Sequence, residues 1–149
     1  MDILFKTCDP IDIDPLRNVA IHTFRAAFEA QNDPKHFRAY LRTAFSKTQL
    51  LKELSNLNTR FYFVVENEEV VGYVKLNIDD AQNEFGEATG VEIERLYVKS
   101  FYQNKGLGGS ILMGIEDMAR SWGKTYLWLG VWEHNPKAIR FYERTGFKK

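Results

Sequence analysis

The sequence has little cysteine and proline, no long hydrophobic run and no excess of charge of one sign. Its 149 residues include one cysteine, Cys8, and four prolines. A lone cysteine cannot form an internal disulfide, which is typical of proteins of the reducing cytoplasm. No apolar run reaches the roughly 18 residues that cross a bilayer. We therefore expect a cytoplasmic protein with neither a signal peptide nor a membrane partner.

The charge balance argues against another class of partner. Lysine plus arginine number 20 and aspartate plus glutamate number 20, which gives a net charge of zero. Domains that bind nucleic acids directly carry a basic patch or stripe, so we do not expect such binding. The three histidines are scattered, and no His, Cys and carboxylate grouping has the ligand spacing of a zinc site. The sequence predicts no metal site.

The hydrophobic periodicity predicts one α/β domain over residues 1–149. It predicts a strand at 3–6, a helix at 12–30 capped by Asp14, a second helix from Pro34 and a shorter one within 49–57. An antiparallel hairpin follows, with strands at 61–65 and 70–78 and a turn at 66–69. The rest is a strand at 91–99, a helix at 110–122, a strand buried on both faces at 125–132 and a helix capped by Asn135.

A bend rich in glycine joins the strand at 91–99 to the next helix. Gln103, Gly106 and Gly108 form the pattern Q-x-x-G-x-G. The first amides of a helix have no partner within it and lie at the positive end of its dipole, so such a bend suits a phosphate or pyrophosphate. A Rossmann fingerprint would need glycine at Ile111, and a P-loop would need glycine at Met118. Both of these nucleotide-binding motifs are excluded.

Acidic residues lie both in the strand at 91–99 and in the loop at 79–90 that precedes it. Glu92 and Glu94 are two apart in the strand, so we expect them on one face, together with Leu96 and Val98. The loop at 79–90 carries four acids, which either attract a polycation or are simply solvated: Asp79, Asp80, Glu84 and Glu87.

The order of elements and two separated motifs resemble the GCN5-related N-acetyltransferase (GNAT) family. Its R/Q-x-x-G-x-G/A motif matches the glycine bend. Its terminal N-x-x-A-x-x-F-Y-x-x-x-G-F pattern matches Asn135, Ala138, Phe141, Tyr142, Gly146 and Phe147. The resemblance implies an α+β type of α/β fold, with a mixed, mostly antiparallel, splayed sheet and helices on both faces. The runs GYVKLNIDDAQ, EIERLYVK and WLGVWEHNPKAIRFYERTGF are similar to the PaiA-type spermidine/spermine acetyltransferases within the family.

This resemblance implies an enzyme that transfers an acetyl group from acetyl-CoA to a primary amine of a polyamine. The amine would attack directly in a ternary complex, without a covalent enzyme intermediate. Two alternatives stay open. One is an acetyltransferase for a protein N-terminus, a lysine or another small amine such as an aminoglycoside. The other is a transcriptional regulator that senses acyl-CoA without catalysis.

The resemblance also implies roles for individual residues. The backbone of Leu96, Tyr97 and Val98 would pair with the pantetheine arm. The pyrophosphate would be held by Gln103, Asn104, Lys105, Gly106, Leu107, Gly108, Gly109 and Ser110. Asn135 would contact the thiol end of the cofactor, cap its helix, or do both. Tyr142 is either the general acid or a core tyrosine. The base is Glu94 or Glu92, and we favour Glu94.

Family members usually continue past the final G-F pair with two further strands. This sequence ends at Lys149. We expect the sheet to lack a strand at that edge, either through truncation or because a neighbouring molecule supplies it in a homodimer.

Overall fold

A five-stranded sheet organises the computed structural model, which describes residues 2–84 and 87–149. Its strands are β1 (Ile3–Thr7), β2 (Thr59–Glu66), β3 (Glu69–Ile78), β4 (Gly90–Val98) and β5 (Tyr126–Trp128). They are hydrogen-bonded in chain order. The first three pairings are antiparallel, and β5 lies parallel to β4. The predicted mixed, mostly antiparallel sheet is confirmed.

Five α-helices cover the two faces of this sheet within the described residues. They are α1 (Ile13–Phe28), α2 (Pro34–Ala44), α3 (Lys47–Leu54), α4 (Leu107–Ser121) and α5 (Pro136–Arg144). Helices α1 to α3 enclose one apolar core, and α4 and α5 pack on the other. None of the described helices is long and apolar enough to cross a bilayer.

Strand β3 separates the two cores. Val74 and Leu76 face the core of α4, whereas Tyr73 faces the core of α1 to α3, and all three are fully buried. Successive side chains of a strand point to opposite faces, so a strand covered on both faces becomes apolar almost throughout. Lys75 and Asn77 are buried exceptions on this strand.

The hairpin of β2 and β3 turns at Asn67 and Glu68, whose φ angles are 50° and 68°. Two central residues with positive φ are the requirement of a type I′ turn, whose twist matches that of the flanking strands. The hairpin is therefore confirmed although its turn contains no glycine.

The helix starts correspond only partly to the predicted caps. Asn135 caps α5, because its Oδ1 accepts the N–H of Ala138 at 3.2 Å. The predicted cap at Asp14 is wrong: a short 3₁₀ turn at Pro10–Asp12 leads into α1, which begins at Ile13. Asp14 lies in the first turn of α1 and forms an exposed ion pair with Lys47 at 2.8 Å.

The strand predicted at 125–132 is shorter and less buried than expected. β5 comprises three half-buried residues, and Val131 and Trp132 beyond it are 38% and 47% exposed. The pairing of β4 with β5 ends at Glu92 and Trp128. Beyond that pair, β4 continues to Val98 without pairing to β5, which ends at Trp128. We call the space beside this unpaired edge of β4 the β4–β5 opening.

A β-bulge in β4 changes the predicted arrangement of its side chains. Lys75 pairs with Arg95 and Leu76 pairs with Ile93, so Glu94 is an extra residue in the ladder. The inserted residue reverses the alternation. Glu94 therefore faces α3, where Lys75 binds it, whereas Leu96 and Val98 pack in the core of α4. The prediction that all of them share a face is wrong.

Candidate active site

Glu92 is a buried carboxylate with its hydrogen bonds largely satisfied. It is 5% exposed. Its Oε1 accepts the backbone N–H of Asn83 at 2.9 Å and the side-chain amide of Asn77 at 3.0 Å. The side-chain amide of Asn83 also lies 3.0 Å from each carboxylate oxygen. Glu92 thus connects β4 to the adjoining loop and to β3.

Glu94 is more accessible, with a side chain that is 25% exposed. Its Oε2 accepts the Nζ of Lys75 at 2.8 Å, and its Oε1 accepts the amides of Asn77 and Asn83 at 2.8 and 3.0 Å. Burial alone would raise the pKa of Glu94, but the charge of Lys75 and these hydrogen bonds outweigh it and lower the pKa below its ordinary value. Glu94 is therefore an anion at neutral pH.

Lys75 and Glu53 belong to the same cluster but were missed at the sequence level. Lys75 Nζ lies 2.7 Å from Glu53 Oε1 on α3, and the other carboxylate oxygen of Glu53 accepts Gln49 Nε2 at 2.7 Å. The signal in the sequence was a pair of polar residues, Lys75 and Asn77, inside the apolar run of β3. Such polar residues are costly to bury unless they are paired. We name Glu53, Lys75, Asn77, Asn83, Glu92 and Glu94 the carboxylate cluster.

Tyr142 lies on α5, half-buried beside the rings of Phe141 and Phe147. Burial, and secondly the neighbouring Tyr97, raise the pKa of Tyr142 to about 12. The phenol therefore keeps its proton at neutral pH, as a proton donor must.

The edge of β4 at the β4–β5 opening carries outward-facing backbone groups. In an antiparallel ladder, alternate residues direct their N–H and C=O groups to the partner strand and to the opposite edge. The carbonyl of Tyr97 points at Gly72 of β3. The carbonyl of Val98 instead accepts the side-chain amide of Gln103 at 3.0 Å. By the same alternation, Leu96 directs its groups into the opening. Of the three residues predicted to pair with the pantetheine arm, Leu96 and Val98 therefore direct backbone groups to the opening, whereas Tyr97 directs its groups to β3.

The glycine bend has a left-handed backbone at two positions. Asn104 and Gly106 have φ angles of 61° and 81°, and α4 begins at Leu107, three residues earlier than predicted. A left-handed residue at the N-cap position favours glycine because glycine has no Cβ. The first amides of α4 lie directly after this bend, where they lack partners within the helix.

Two adjacent glycines of α4 have different surroundings. A Cβ on Gly108 would lie 2.8 Å from the Phe141 ring, whereas a Cβ on Gly109 would meet nothing within 4 Å. Gly108 is thus required by the packing of α4 against α5. Gly109 borders open space, which leaves the helix start accessible to a ligand.

The polar side chains of the bend make local contacts. Lys105 Nζ lies 4.6 Å from the centre of the exposed Phe101 ring. Ser110 Oγ lies 3.4 Å from the carbonyl of Gly106, a long hydrogen bond.

Three of the four acids of the loop at 79–90 contact neighbouring side chains. Asp79 pairs with Lys124 at 3.1 Å, Asp80 accepts the amide of Asn58 at 2.7 Å, and Glu87 accepts the hydroxyl of Tyr126 at 2.9 Å. These contacts tie the loop to its neighbours and weaken its interpretation as a polycation site. Phe85 and Gly86 of this loop lie outside the described residues.

Among the described residues, no group of three or more His, Cys, Asp or Glu side chains could hold a metal ion. A groove of about 760 Å³ runs between α4, β5 and α5. Tyr142 lines it, but neither the carboxylate cluster nor the glycine bend does. The groove therefore shares Tyr142 with the candidate site but none of its β4 residues.

The model of the acetyltransferase (GNAT) family matches residues 17–147. The chain belongs to this family. A GNAT relative of Lactobacillus delbrueckii subsp. lactis, described as an uncharacterized N-acetyltransferase in the pepI 3′ region, is 37% identical over 93% of this chain and 80% of its own. The spermidine N(1)-acetyltransferase of Thermoplasma acidophilum is 26% identical over 99% of this chain and 89% of its own.

The GNAT fold is matched by a solved structure as well. The PaiA N-acetyltransferase from Thermoplasma acidophilum, in complex with coenzyme A, superposes with a TM-score of 0.82 at 26% identity, over 99% of this chain and 91% of that one. The GNAT assignment and the predicted fold are thereby confirmed, and the chain is an N-acetyltransferase.

Proposed function

We propose that this protein transfers the acetyl group of acetyl-CoA to a primary amine of a polyamine such as spermidine or spermine. The observation that carries the proposal is a succession along residues 94–110: an accessible carboxylate, an outward-facing strand edge and an amide-rich helix start. The coenzyme A held by the Thermoplasma PaiA structure and the spermidine named for a relative support it.

In this proposal, acetyl-CoA lies in the β4–β5 opening. The backbone of Leu96 and Val98 pairs with the pantetheine arm as an added strand would. The amides at the start of α4 bind the pyrophosphate, since they are unpaired donors at the positive end of the helix dipole. Lys105 adds positive charge on the solvent side.

The amine binds at Glu94 and attacks the thioester directly. A primary amine has a pKa of about 10, so only a small fraction is unprotonated at neutral pH. The lowered pKa makes Glu94 a weak base before attack but a strong acceptor of N–H hydrogen bonds. Once the carbon–nitrogen bond forms, the nitrogen becomes far more acidic. Glu94 accepts its proton at that stage, and the carbon–sulfur bond breaks.

Tyr142 donates a proton to the sulfur of the departing coenzyme A thiolate. Its raised pKa, about 12, keeps the phenol protonated until the thiolate forms. The products are the N-acetyl amine and free coenzyme A, and transfer of the Glu94 proton to the Tyr142 phenolate through solvent restores the enzyme.

Activity is tested with a panel of amines and thiol release as the measurement. We expect turnover of spermidine and spermine with kcat/KM values well above those of aminoglycosides and lysine peptides. Turnover of peptides alone would refute the polyamine substrate.

The Tyr142→Phe variant separates an enzyme from a binding protein. We expect kcat to fall by about 10²–10⁴-fold, the usual contribution of general acid–base catalysis, with unchanged coenzyme A affinity by calorimetry. Tyr126→Phe is the matched control, because its hydroxyl donates to Glu87 in the loop that precedes β4. Equal rates for Tyr142→Phe and the wild type would rule out the proton-donor role.

A further inference from the structure

A buried lysine connects α3 to the carboxylate that we propose receives the amine. The Lys75 side chain is 7% exposed, and its Nζ lies 2.7 Å from Glu53 and 2.8 Å from Glu94. It also lies 5.6 Å from the centre of the Phe61 ring. A buried ammonium is costly unless it is paired and hydrogen-bonded. Lys75 meets this condition through two carboxylates from different elements.

The geometry points to Lys75 as a positioning residue: with Glu53 as its anchor on α3, it fixes the orientation and the charge of the Glu94 carboxylate. The inference rests on the proposed role of Glu94. Lys75 itself is too buried to contact the substrate. It acts by holding Oε2 of Glu94, while the amides of Asn77 and Asn83 hold Oε1.

Among the charged groups around Glu94, Lys75 is the cation in closest contact. Glu53 on α3 and Glu92 on β4 are like charges, which oppose ionisation of Glu94. The buried hydroxyls of Tyr73 and Tyr97 add no positive charge. Arg95 Nε lies 3.7 Å from Glu94, and its guanidinium stacks on the Phe45 ring. Lys75 is therefore the one lysine in direct contact with this carboxylate among the described residues.

Glu53 is the second carboxylate partner of Lys75. It accepts both Lys75 and Gln49, so the lysine is held from the α3 side. Removing Glu53 would leave Lys75 with Glu94 as its single carboxylate partner. Removing Lys75 would leave Glu94 half-buried beside two other carboxylates. These two changes therefore act on Glu94 in opposite directions, whereas a general loss of packing would act in the same direction.

The test is a carboxyl ¹³C NMR titration of the full chain labelled on glutamate, with the Glu94 signal assigned from the Glu94→Gln variant. In the wild type we expect Glu94 to titrate below its ordinary pKa of 4.5. In Lys75→Met the midpoint should rise from its wild-type value by at least about one pH unit, since the charge of Lys75 is lost while burial remains. Lys75→Arg should restore most of the wild-type behaviour, and Glu53→Gln should give a midpoint no higher than that of the wild type.

Kinetics on the same variants provide the second measurement. For Lys75→Met we expect the KM for the amine to rise tenfold or more at neutral pH, with coenzyme A affinity unchanged. An unchanged Glu94 midpoint in Lys75→Met, or an equal rise in Glu53→Gln, would overturn the inference. If Lys75→Met does not fold, Lys75→Arg and Glu53→Gln still decide it by the direction of their midpoints. Failure of the wild type to acetylate any amine would refute the proposed function. The titration would still show whether Lys75 controls the ionisation of Glu94.

Discussion

Glu92 and Glu94 are two residues apart in β4 but have different environments. Glu92 is enclosed by amide donors and is 5% exposed, whereas the side chain of Glu94 is 25% exposed and contacts a lysine. A group that contacts substrate must be reachable, and a group surrounded by structural hydrogen bonds contributes to folding instead. We therefore propose Glu94 as the catalytic carboxylate and a structural role for Glu92.

Replacing each glutamate by glutamine tests this division. Glu94→Gln should lower kcat/KM for the amine by about 10²-fold or more. Glu92→Gln should lower the free energy of unfolding by about 1–3 kcal/mol, because its new amide would face the amides of Asn77 and Asn83 and leave buried donors unpaired. The reverse pattern would make Glu92 the catalytic carboxylate.

The ionisation of Glu94 also predicts how stability depends on pH. Its pKa is lower in the folded protein than the ordinary value of 4.5. The stabilisation is therefore fully present above that ordinary value and is lost as the pH falls through the lower, folded value. Urea unfolding of the wild type and Glu94→Gln from pH 6 down to about pH 3 should give a free-energy difference that shrinks towards acid. A constant difference would contradict the ionic contribution.

Among the elements, α4 and α5 connect the two motifs that are far apart in the sequence. Gly108 of the glycine bend lies against Phe141 of the terminal motif. Packing against Phe141 therefore explains the second glycine of Q-x-x-G-x-G, whereas the left-handed backbone explains Gly106. Gly109, outside the motif, is the glycine next to open space.

Alanine substitutions at Gly108 and Gly109 form a matched pair. Gly108→Ala should destabilise the protein by about 1–3 kcal/mol, because its Cβ would overlap the Phe141 ring. Gly109→Ala should stabilise the free protein by up to ~1 kcal/mol, as expected for alanine in a helix, yet weaken coenzyme A binding. Thermal unfolding and calorimetry measure the two effects. Unaltered coenzyme A affinity in Gly109→Ala would argue against a pyrophosphate at this helix start.

The sequence predicted elements with strong local signals and missed features set by pairing. The Asn135–Pro136 cap and the β2–β3 hairpin are local, and the structure confirms both. The bulge at Glu94 depends on how β4 pairs with β3, which no local pattern reveals. Likewise, the apolar run at 125–132 predicted a fully covered strand, but coverage depends on neighbours, and β5 pairs over three residues. Glu53 could not be assigned to the site because its partner, Lys75, is 22 residues away.

At the scale of the whole molecule, two apolar cores support one interrupted sheet. The cores lie on opposite faces of β3, and the interruption lies between β4 and β5. An acyl-CoA bound in that opening would contact β4 and α4 together. Ligand binding should therefore stabilise the fold as a unit.

Coenzyme A should raise the thermal midpoint of the whole chain. A ligand at a hundred times its Kd adds about 2.7 kcal/mol to the free energy of unfolding. For a chain of this size, this corresponds to roughly 5–10 °C. Differential scanning calorimetry with coenzyme A, acetyl-CoA and adenosine as a control measures it. No shift with either form of the coenzyme would contradict binding in the opening.

The extra residue in β4 also affects how related chains should be aligned. From the inserted residue onward, the side chains that would face inward face outward, and the reverse. In a relative whose β4 has no bulge, the acid that occupies the same place would stand one position away in the sequence. Matching such chains column by column would then equate side chains on opposite sides of the sheet. Acids in these enzymes should therefore be compared after superposition of the strands, not by counting back from the glycines.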